Sequence, residues 1–221
     1  MKEQRFESSI ASDDRCNDRA PFDETASANA SPENQASAQA ANRRLICYSL
    51  EKEIAPTLMA VCEGKLSLRR EVLLTHAPGT TNPTTWVHCL AITRFGVFVI
   101  DRYQWTGAVK PTNNEDELLV VDDFGVATVQ TSPLRRAKPA VRYLRTLLSQ
   151  YECPIESVAI CADSGCRLHP TLPDAVLKLP ELYHFLRTRL NRFRATHSRY
   201  LDLQAIVAQL DWRLHDGRMR E

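Results

Sequence analysis

The segment Trp86–Gly107, WVHCLAITRFGVFVIDRYQWTG, predicts a β-hairpin at the centre of the fold. Two apolar runs, Val87–Thr93 and Val97–Ile100, flank a short break that contains Gly96. Runs rich in β-branched and aromatic residues, separated by a glycine-containing break, are typical of two antiparallel strands joined by a turn. We therefore expect these two strands to be neighbours in a buried sheet.

Polar and aromatic residues follow the second strand of this hairpin. Asp101, Tyr103 and Trp105 alternate along the chain, so they share one face of an extended strand. His88 lies on the partner strand. A carboxylate at the end of a buried hairpin with a histidine opposite is the first place to look for a functional site.

The rest of the ordered chain alternates between strand and helix patterns. Further strands are predicted at Glu71–His76, Leu118–Val121, Val126–Gln130, Ile155–Cys161 and Ala175–Leu179. Helices are predicted within Glu51–Cys62, from Pro133 to Tyr151 with Ser132 as N-cap, over Glu181–Leu190, and over Leu201–Leu214 with Gly217 ending it. This order predicts an α/β fold in which a mixed central β-sheet is flanked by helices.

Composition divides the chain into three parts. Residues 1–42 are a low-complexity segment of net charge −4, rich in Ser, Ala, Asn and acidic residues, and are predicted to be disordered. Residues 44–187 form the predicted α/β domain. Residues 188–221 are predicted to be a basic, helical C-terminal extension, since residues 187–221 hold eight arginines and four acidic residues.

The composition also argues against several classes of protein. The seven cysteines are scattered and odd in number, no apolar leader opens the chain, and no apolar run is long enough to cross a bilayer. These features predict a cytoplasmic protein with free thiols and no membrane association. The sequence contains no glycine-rich phosphate loop, no Gly-x-Ser-x-Gly and no His-Glu-x-x-His, which argues against an NTPase, a serine hydrolase and a metalloprotease.

The Trp86–Gly107 segment and the later helix start Ser132-Pro133-Leu134 resemble the nuclease-related domain (NERD) family. The resemblance covers about residues 44–187. It implies a restriction-endonuclease-like fold of the PD-(D/E)XK class. In that family an Asp on the first strand is followed thirteen positions later by the Glu of a Glu-x-Lys triplet, and a helix start of the form Asn-Pro-Leu-x-Gln comes further on.

This chain keeps the family's spacing with different residues at the catalytic positions. His88 stands at the family's Asp position, Asp101 at the Glu position and Tyr103 at the Lys position. Arg136 stands where the helix start has Gln. The resemblance therefore implies that His88, Asp101 and Tyr103 occupy the sites of catalysis.

The same resemblance implies a metal site in which an acidic residue of the first helix takes part. Glu51 and Glu53 are both candidates, and the spacing does not choose between them. Together with His88 and Asp101 they would hold a divalent cation such as Mg²⁺ or Mn²⁺. Histidine in place of Asp removes an anionic ligand and favours Zn²⁺ or Mn²⁺, and a tyrosine in place of Lys is neutral near pH 7. We therefore expect a degenerate centre with no cofactor, or a divalent metal if the centre is active.

Structural roles are open for the same residues. His88 could be a packed, hydrogen-bonded histidine of the sheet, and Asp101 could cap backbone amides at the end of a strand. Tyr103 and Trp105 could belong to the core, or they could stack on nucleic-acid bases.

Two other sets of residues suggest binding. Cys161, Cys166 and His169 have types that bind Zn²⁺, although a structural zinc site needs four ligands, so two free thiols are the favoured interpretation. Phosphate contacts are predicted for basic residues of two helices, which are Arg136, Arg187, Arg189, Arg192 and Arg194, with Arg199 beyond them. A solvated arginine-rich surface is the alternative.

Three functions follow from these observations. The first is a NERD-like, nucleic-acid-associated binding module with a degenerate nuclease centre, with DNA or a protein as partner and a role in DNA processing. The second is an active, divergent metal-dependent nuclease. The third is a protein-interaction scaffold that uses only the fold.

Overall fold

A computed structural model describes residues 32–81 and 83–218, with side chains described over 37–81 and 83–212. Its helices are α1 (Pro32–Cys62), α2 (Pro133–Leu147), α3 (Leu182–Thr196) and α4 (Leu203–Arg218). Its strands are β1 (Leu66–Thr75), β2 (Thr84–Thr93), β3 (Gly96–Tyr103), β4 (Ala108–Pro111), β5 (Glu117–Val121), β6 (Ala127–Thr131), β7 (Ile155–Cys161), β8 (Arg167–Leu168) and β9 (Val176–Lys178). Within these residues no helix combines the length and the apolar character that a bilayer crossing needs.

The larger sheet is mixed and has the strand order β1-β2-β3-β7-β9. β1, β2 and β3 run antiparallel to their neighbours, whereas β7 is parallel to β3 and β9 is parallel to β7. The central hairpin is confirmed, with Thr93 opposite Gly96 and Cys89 opposite Ile100. The α/β class with a mixed sheet and flanking helices is therefore confirmed.

Each face of this sheet supports a separate hydrophobic core. Side chains of α1 and α3, including Ile54 and Phe185, pack on one face. Side chains of α2 and α4, including Leu144 and Ile206, pack on the other face. The two faces are called below the α1 face and the α2 face.

A second sheet of order β6-β5-β4-β8 holds the hairpin predicted from residues 118–130. Its short strands β4 and β8 were not predicted. Gly107 lets the backbone pass close to the end of β5 as the chain enters β4. Its φ is +75°, and a Cβ there would lie 2.1 Å from the Val121 carbonyl oxygen. Only glycine fits this position without moving the backbone.

Helix α1 is longer than the sequence indicated. It begins at Pro32, so residues 32–42 are helical where disorder was expected, and Pro56 lies inside the helix. The cost of an interior proline is about 3 kcal/mol. Complete burial of Leu50, Ile54 and Leu58 on one helical stripe offsets it, since each such side chain contributes about 1.5–3 kcal/mol. Residues 1–31 of the expected disordered segment lie outside the described residues.

The expected C-terminal extension belongs to the domain. The boundary at residues 187–188 falls inside α3, and residues 38–218 belong to one compact unit. Leu190 and Phe193 are buried on the α1 face, and Ile206 and Leu210 on the α2 face. These apolar contacts anchor the segment in both cores. The count of basic residues, on which the prediction of an extension was based, does not reflect them.

Strands β1 and β2 both exchange their faces at one level of the sheet. Arg70 points to the α1 face, where it pairs with α1, yet Val72 lies in the α2-face core. Likewise Val87 lies in the α2-face core and Cys89 in the α1-face core. Residues two apart on a regular strand share a face, so both strands turn over between these positions. Glu71, with φ of +51°, is the residue that turns β1 over.

Candidate functional site

The exchange of faces places His88 beside Asp101, thirteen residues further along the chain. The β2–β3 ladder ends at the Cys89–Ile100 pair. One step beyond it, the Asp101 Oδ1 atom accepts the backbone N–H of His88 at 2.9 Å. Asp101 therefore caps the amide that follows the end of the β2–β3 ladder, in keeping with the structural alternative given for it, and holds β2 against β3 where their backbones part.

The imidazole of His88 is held by the same carboxylate. Its Nδ1 atom lies 2.9 Å from Asp101 Oδ1 and 3.3 Å from the backbone nitrogen of Arg102. Nδ1 cannot accept from the amide while it donates to the carboxylate, and the shorter contact to a carboxylate favours Nδ1–H. Asp101 thus orients the ring through its Nδ1 atom.

The two acidic candidates of α1 have arginine partners. Glu51 pairs with Arg70 at 2.7 Å, and Glu53 pairs with Arg102 at 2.9 Å. Arg102 follows Asp101 in β3, so the two side chains leave opposite faces of the strand. Glu53 is therefore separated from Asp101 by the sheet.

The four candidate metal ligands consequently do not converge. Among residues 37–81 and 83–212, no group of three or more His, Cys, Asp or Glu side chains is placed to hold a metal ion. A site of hard-cation type requires several oxygen ligands around one point. The arrangement supplies one His–Asp pair and two glutamate–arginine pairs in its place.

Tyr103 and Trp105 pack on each other beside this pair. Their ring centroids are 4.7 Å apart, and the Trp105 indole N–H donates to Gln130 Oε1 at 3.1 Å. Burial, followed by the nearby charge of Asp101, raises the pKa of Tyr103 to about 12. Tyr103 is thus a neutral phenol, and Trp105, which is 5% exposed, fits the core alternative and not the stacking one.

The Cys161–Cys166–His169 group is not assembled as a zinc site. Both thiols are buried and free, and burial raises the pKa of Cys166 to about 12. His169 Nδ1 lies 2.8 Å from the hydroxyl of Thr171. The favoured interpretation of two free thiols agrees with this geometry.

The arginines expected to bind phosphate differ in their availability. Arg189 is a structural residue, with its side chain 9% exposed and paired at 2.8 Å with both Glu156 and Asp174. Arg194 donates from Nε to the hydroxyl of Tyr200 at 2.8 Å. Three others, which are Arg136, Arg187 and Arg192, are solvent-exposed.

Helix α2 carries a basic surface, of which only Arg136 is among the phosphate-contacting residues expected from the sequence. Its outward side holds five exposed cations and no acidic residue, and these are Arg135, Arg136, Lys138, Arg142 and Arg145. Arg135 pairs with Asp116 at 3.4 Å, and Arg145 donates to the Ile155 carbonyl oxygen at 3.0 Å. The remaining three have no carboxylate partner among the described side chains. The spacing of 135, 138 and 142 in the sequence was the available indication.

A groove of about 550 Å³ runs along this basic surface. The start of the β1–β2 connection forms its other wall. Its lining residues are His76, Ala77, Arg135, Lys138, Pro139, Arg142, Tyr143 and Thr146. The groove therefore joins cations, a histidine and a tyrosine on one accessible surface.

Comparisons of the chain with protein-family models, with curated proteins and with solved structures give no match.

Proposed function

We propose that this protein is a nucleic-acid-associated binding module built on a NERD-like arrangement whose nuclease centre is degenerate. The observation that carries the proposal is the acid-free, five-cation outer side of α2 beside an open groove. Clustered Lys and Arg on one face of a helix are the electrostatic footprint expected of a surface that contacts phosphates.

Helix α2 concentrates positive charge in a protein that is nearly neutral overall. The whole chain has a net charge of +1, yet α2 holds five basic residues and no acidic one. Buried residues such as Ala137, Ala140 and Leu144 fix the inner side of the helix to the sheet, so the cations are presented on a rigid surface. A fixed helix reduces the backbone ordering that binding would otherwise cost.

The candidate catalytic residues favour binding over cleavage. Asp101 is engaged by the amide and ring of His88, and Glu53 is engaged by Arg102. Recruiting both carboxylates to one cation would break these contacts. Tyr103, neutral at physiological pH, supplies no positive charge to a scissile phosphate.

The test is equilibrium binding to a labelled linear DNA duplex as a function of salt, followed by fluorescence anisotropy. Neutralising Lys138 and Arg142 together, as Lys138→Gln and Arg142→Gln, removes two of the unpaired cations of the groove. We expect weaker binding at low salt and a slope of log K against log salt that is smaller by about 2. Lys65→Gln with Lys110→Gln is the matched control, since both lysines are exposed and the change in net charge is the same.

Two outcomes would reject the proposal. DNA cleavage that requires Mg²⁺ or Mn²⁺ and disappears in Asp101→Ala would establish the active nuclease. No binding to single- or double-stranded DNA at low salt would leave the protein-interaction scaffold. An equal loss of affinity in the control pair would remove α2 as the binding surface.

A further inference from the structure

Two aromatic rings are exposed together on the α1 face. Trp86 of β2 is 46% exposed and Tyr48 of α1 is 45% exposed. Trp86 reaches this face because β2 has turned over between Val87 and Cys89. Large aromatic side chains are usually buried, so two half-exposed rings on one face of the sheet require an explanation.

Basic side chains lie over both rings. The Arg43 guanidinium is 5.1 Å from the centre of the Trp86 ring. The Lys52 ammonium and the Arg70 guanidinium are 4.5 Å and 5.5 Å from the centre of the Tyr48 ring. These distances are within the range of cation–π contacts.

Two of these cations are not neutralised by carboxylates. Arg70 pairs with Glu51, but Arg43 and Lys52 have no carboxylate partner among the described residues. The Nε atom of Arg43 is buried and has no hydrogen-bond acceptor there. The rings, and not acidic groups, hold these cations, and their positive charge remains available to an anionic partner.

The rings are separated along the sheet and connected by apolar surface. Trp86 is opposite Leu73 in β1, and Leu73 is itself 37% exposed. Arg70, whose guanidinium lies over Tyr48, precedes Leu73 by three residues in β1, so the two rings are placed at different levels along the strand. A partner that follows the strand would contact both rings in turn.

We propose that this Tyr48–Trp86 surface binds single-stranded nucleic acid, with bases taking the place of the cations over the two rings and phosphates pairing with the displaced Arg43 and Lys52. Stacking platforms combined with cations that follow the backbone are the chemistry that single strands require, because their bases are unstacked and accessible. A duplex offers the cations its phosphates but keeps its bases out of reach of the rings. This inference rests on the proposed function and specifies the class of nucleic acid that this second surface selects.

The test uses the full chain in a Trp212→Phe background, which leaves Trp86 as the exposed tryptophan and Trp105 as a buried one. Titration with oligothymidine about 15 nucleotides long should quench the Trp86 fluorescence. Trp86→Ala and Tyr48→Ala should each weaken single-strand binding by about fivefold or more, since stacking is worth about 1–3 kcal/mol per base. Affinity for a duplex of the same length should stay unchanged.

Two further variants separate stacking from folding. Trp86→Phe keeps an aromatic face and should retain most of the single-strand affinity, whereas Trp86→Leu keeps apolar bulk and should lose it. Phe124→Ala is the matched control, because Phe124 is an exposed aromatic residue at the β5–β6 turn, 94% exposed and away from this surface. Thermal unfolding of each variant reports whether the fold is intact.

The outcomes distinguish this inference from the proposed function. Salt-dependent binding that is insensitive to Trp86→Ala and gives no quenching overturns the inference and leaves the proposed function standing. A Trp86→Ala variant that dissociates a dimer, measured by sedimentation, assigns the surface to a second copy of the chain and also overturns it. The absence of any nucleic-acid binding rejects the proposed function itself.

Discussion

At the scale of single residues, the contact of Asp101 with His88 decides how the centre of the sheet is interpreted. The thirteen-residue spacing in the sequence correctly paired these two residues on adjoining strands. It could not show that Arg102 pairs with Glu53, because that depends on which face of β3 the Arg102 side chain leaves and on where α1 packs. A carboxylate expected to bind a metal is therefore found as the acceptor of a backbone amide of β2.

Asp101→Ala tests this role. The substitution leaves the His88 amide and ring without their acceptor, and an unsatisfied buried donor costs about 1–3 kcal/mol. We expect the free energy of unfolding in urea to fall by that amount. Asp101→Asn, which retains an oxygen acceptor, should lose distinctly less. Unchanged or higher stability of Asp101→Ala would indicate a carboxylate kept for chemistry and not for the fold.

At the scale of secondary-structure elements, the apolar patterns predicted which strands and helices exist better than where each one begins and ends. The central hairpin, α2 and β7 were recognisable because their buried residues follow a strand or helix period. The short strands β4 and β8 were missed, since four and two residues carry almost no periodic pattern. The exchange of faces in β1 was hidden because a positive φ at Glu71 leaves no mark on the sequence.

The entry into β4 gives a prediction at this scale. Gly107→Ala would place a Cβ 2.1 Å from the Val121 carbonyl oxygen in a backbone that has positive φ. The left-handed conformation alone costs about 1–2 kcal/mol for a residue with a Cβ, and the clash adds to it. We expect a loss of stability above that range in urea unfolding. Gly125→Ala is the control, since its φ is also positive but a Cβ there meets no atom within 4 Å. A similar loss in both variants would show that backbone conformation, and not the close approach, sets the cost.

At the scale of the whole molecule, buried acidic groups link stability to alkaline pH. Burial raises the pKa of Tyr103 and of the Cys62, Cys89 and Cys153 thiols to about 12. These groups ionise in the unfolded chain near their ordinary values of 10.0 for tyrosine and 9.0 for cysteine. Between those values and about 12 the unfolded state has lost protons that the folded state retains, so stability falls as pH rises.

We therefore expect the free energy of unfolding, measured with urea under reducing conditions, to fall from about pH 9 upward relative to its value at pH 8. Each group contributes a slope of up to about 1.4 kcal/mol per pH unit while only its unfolded form is ionised. Tyr103→Phe should reduce the slope above pH 10 and leave it unchanged at pH 9. A flat profile up to pH 11 would contradict the burial of these groups.

The turning over of β1 and β2 at Glu71 and His88 also affects how the domain loses its structure. The first half of β1 places Leu66 and Leu68 against the α1 and α3 helices, and its second half places Val72 and Leu74 against α2 and α4. The β1–β2 hairpin thus packs against both helical layers, one after the other along its length, and neither layer has a strand pair of its own. Detachment of that hairpin would expose apolar surface of both layers at once, so their unfolding is coupled into a single cooperative event.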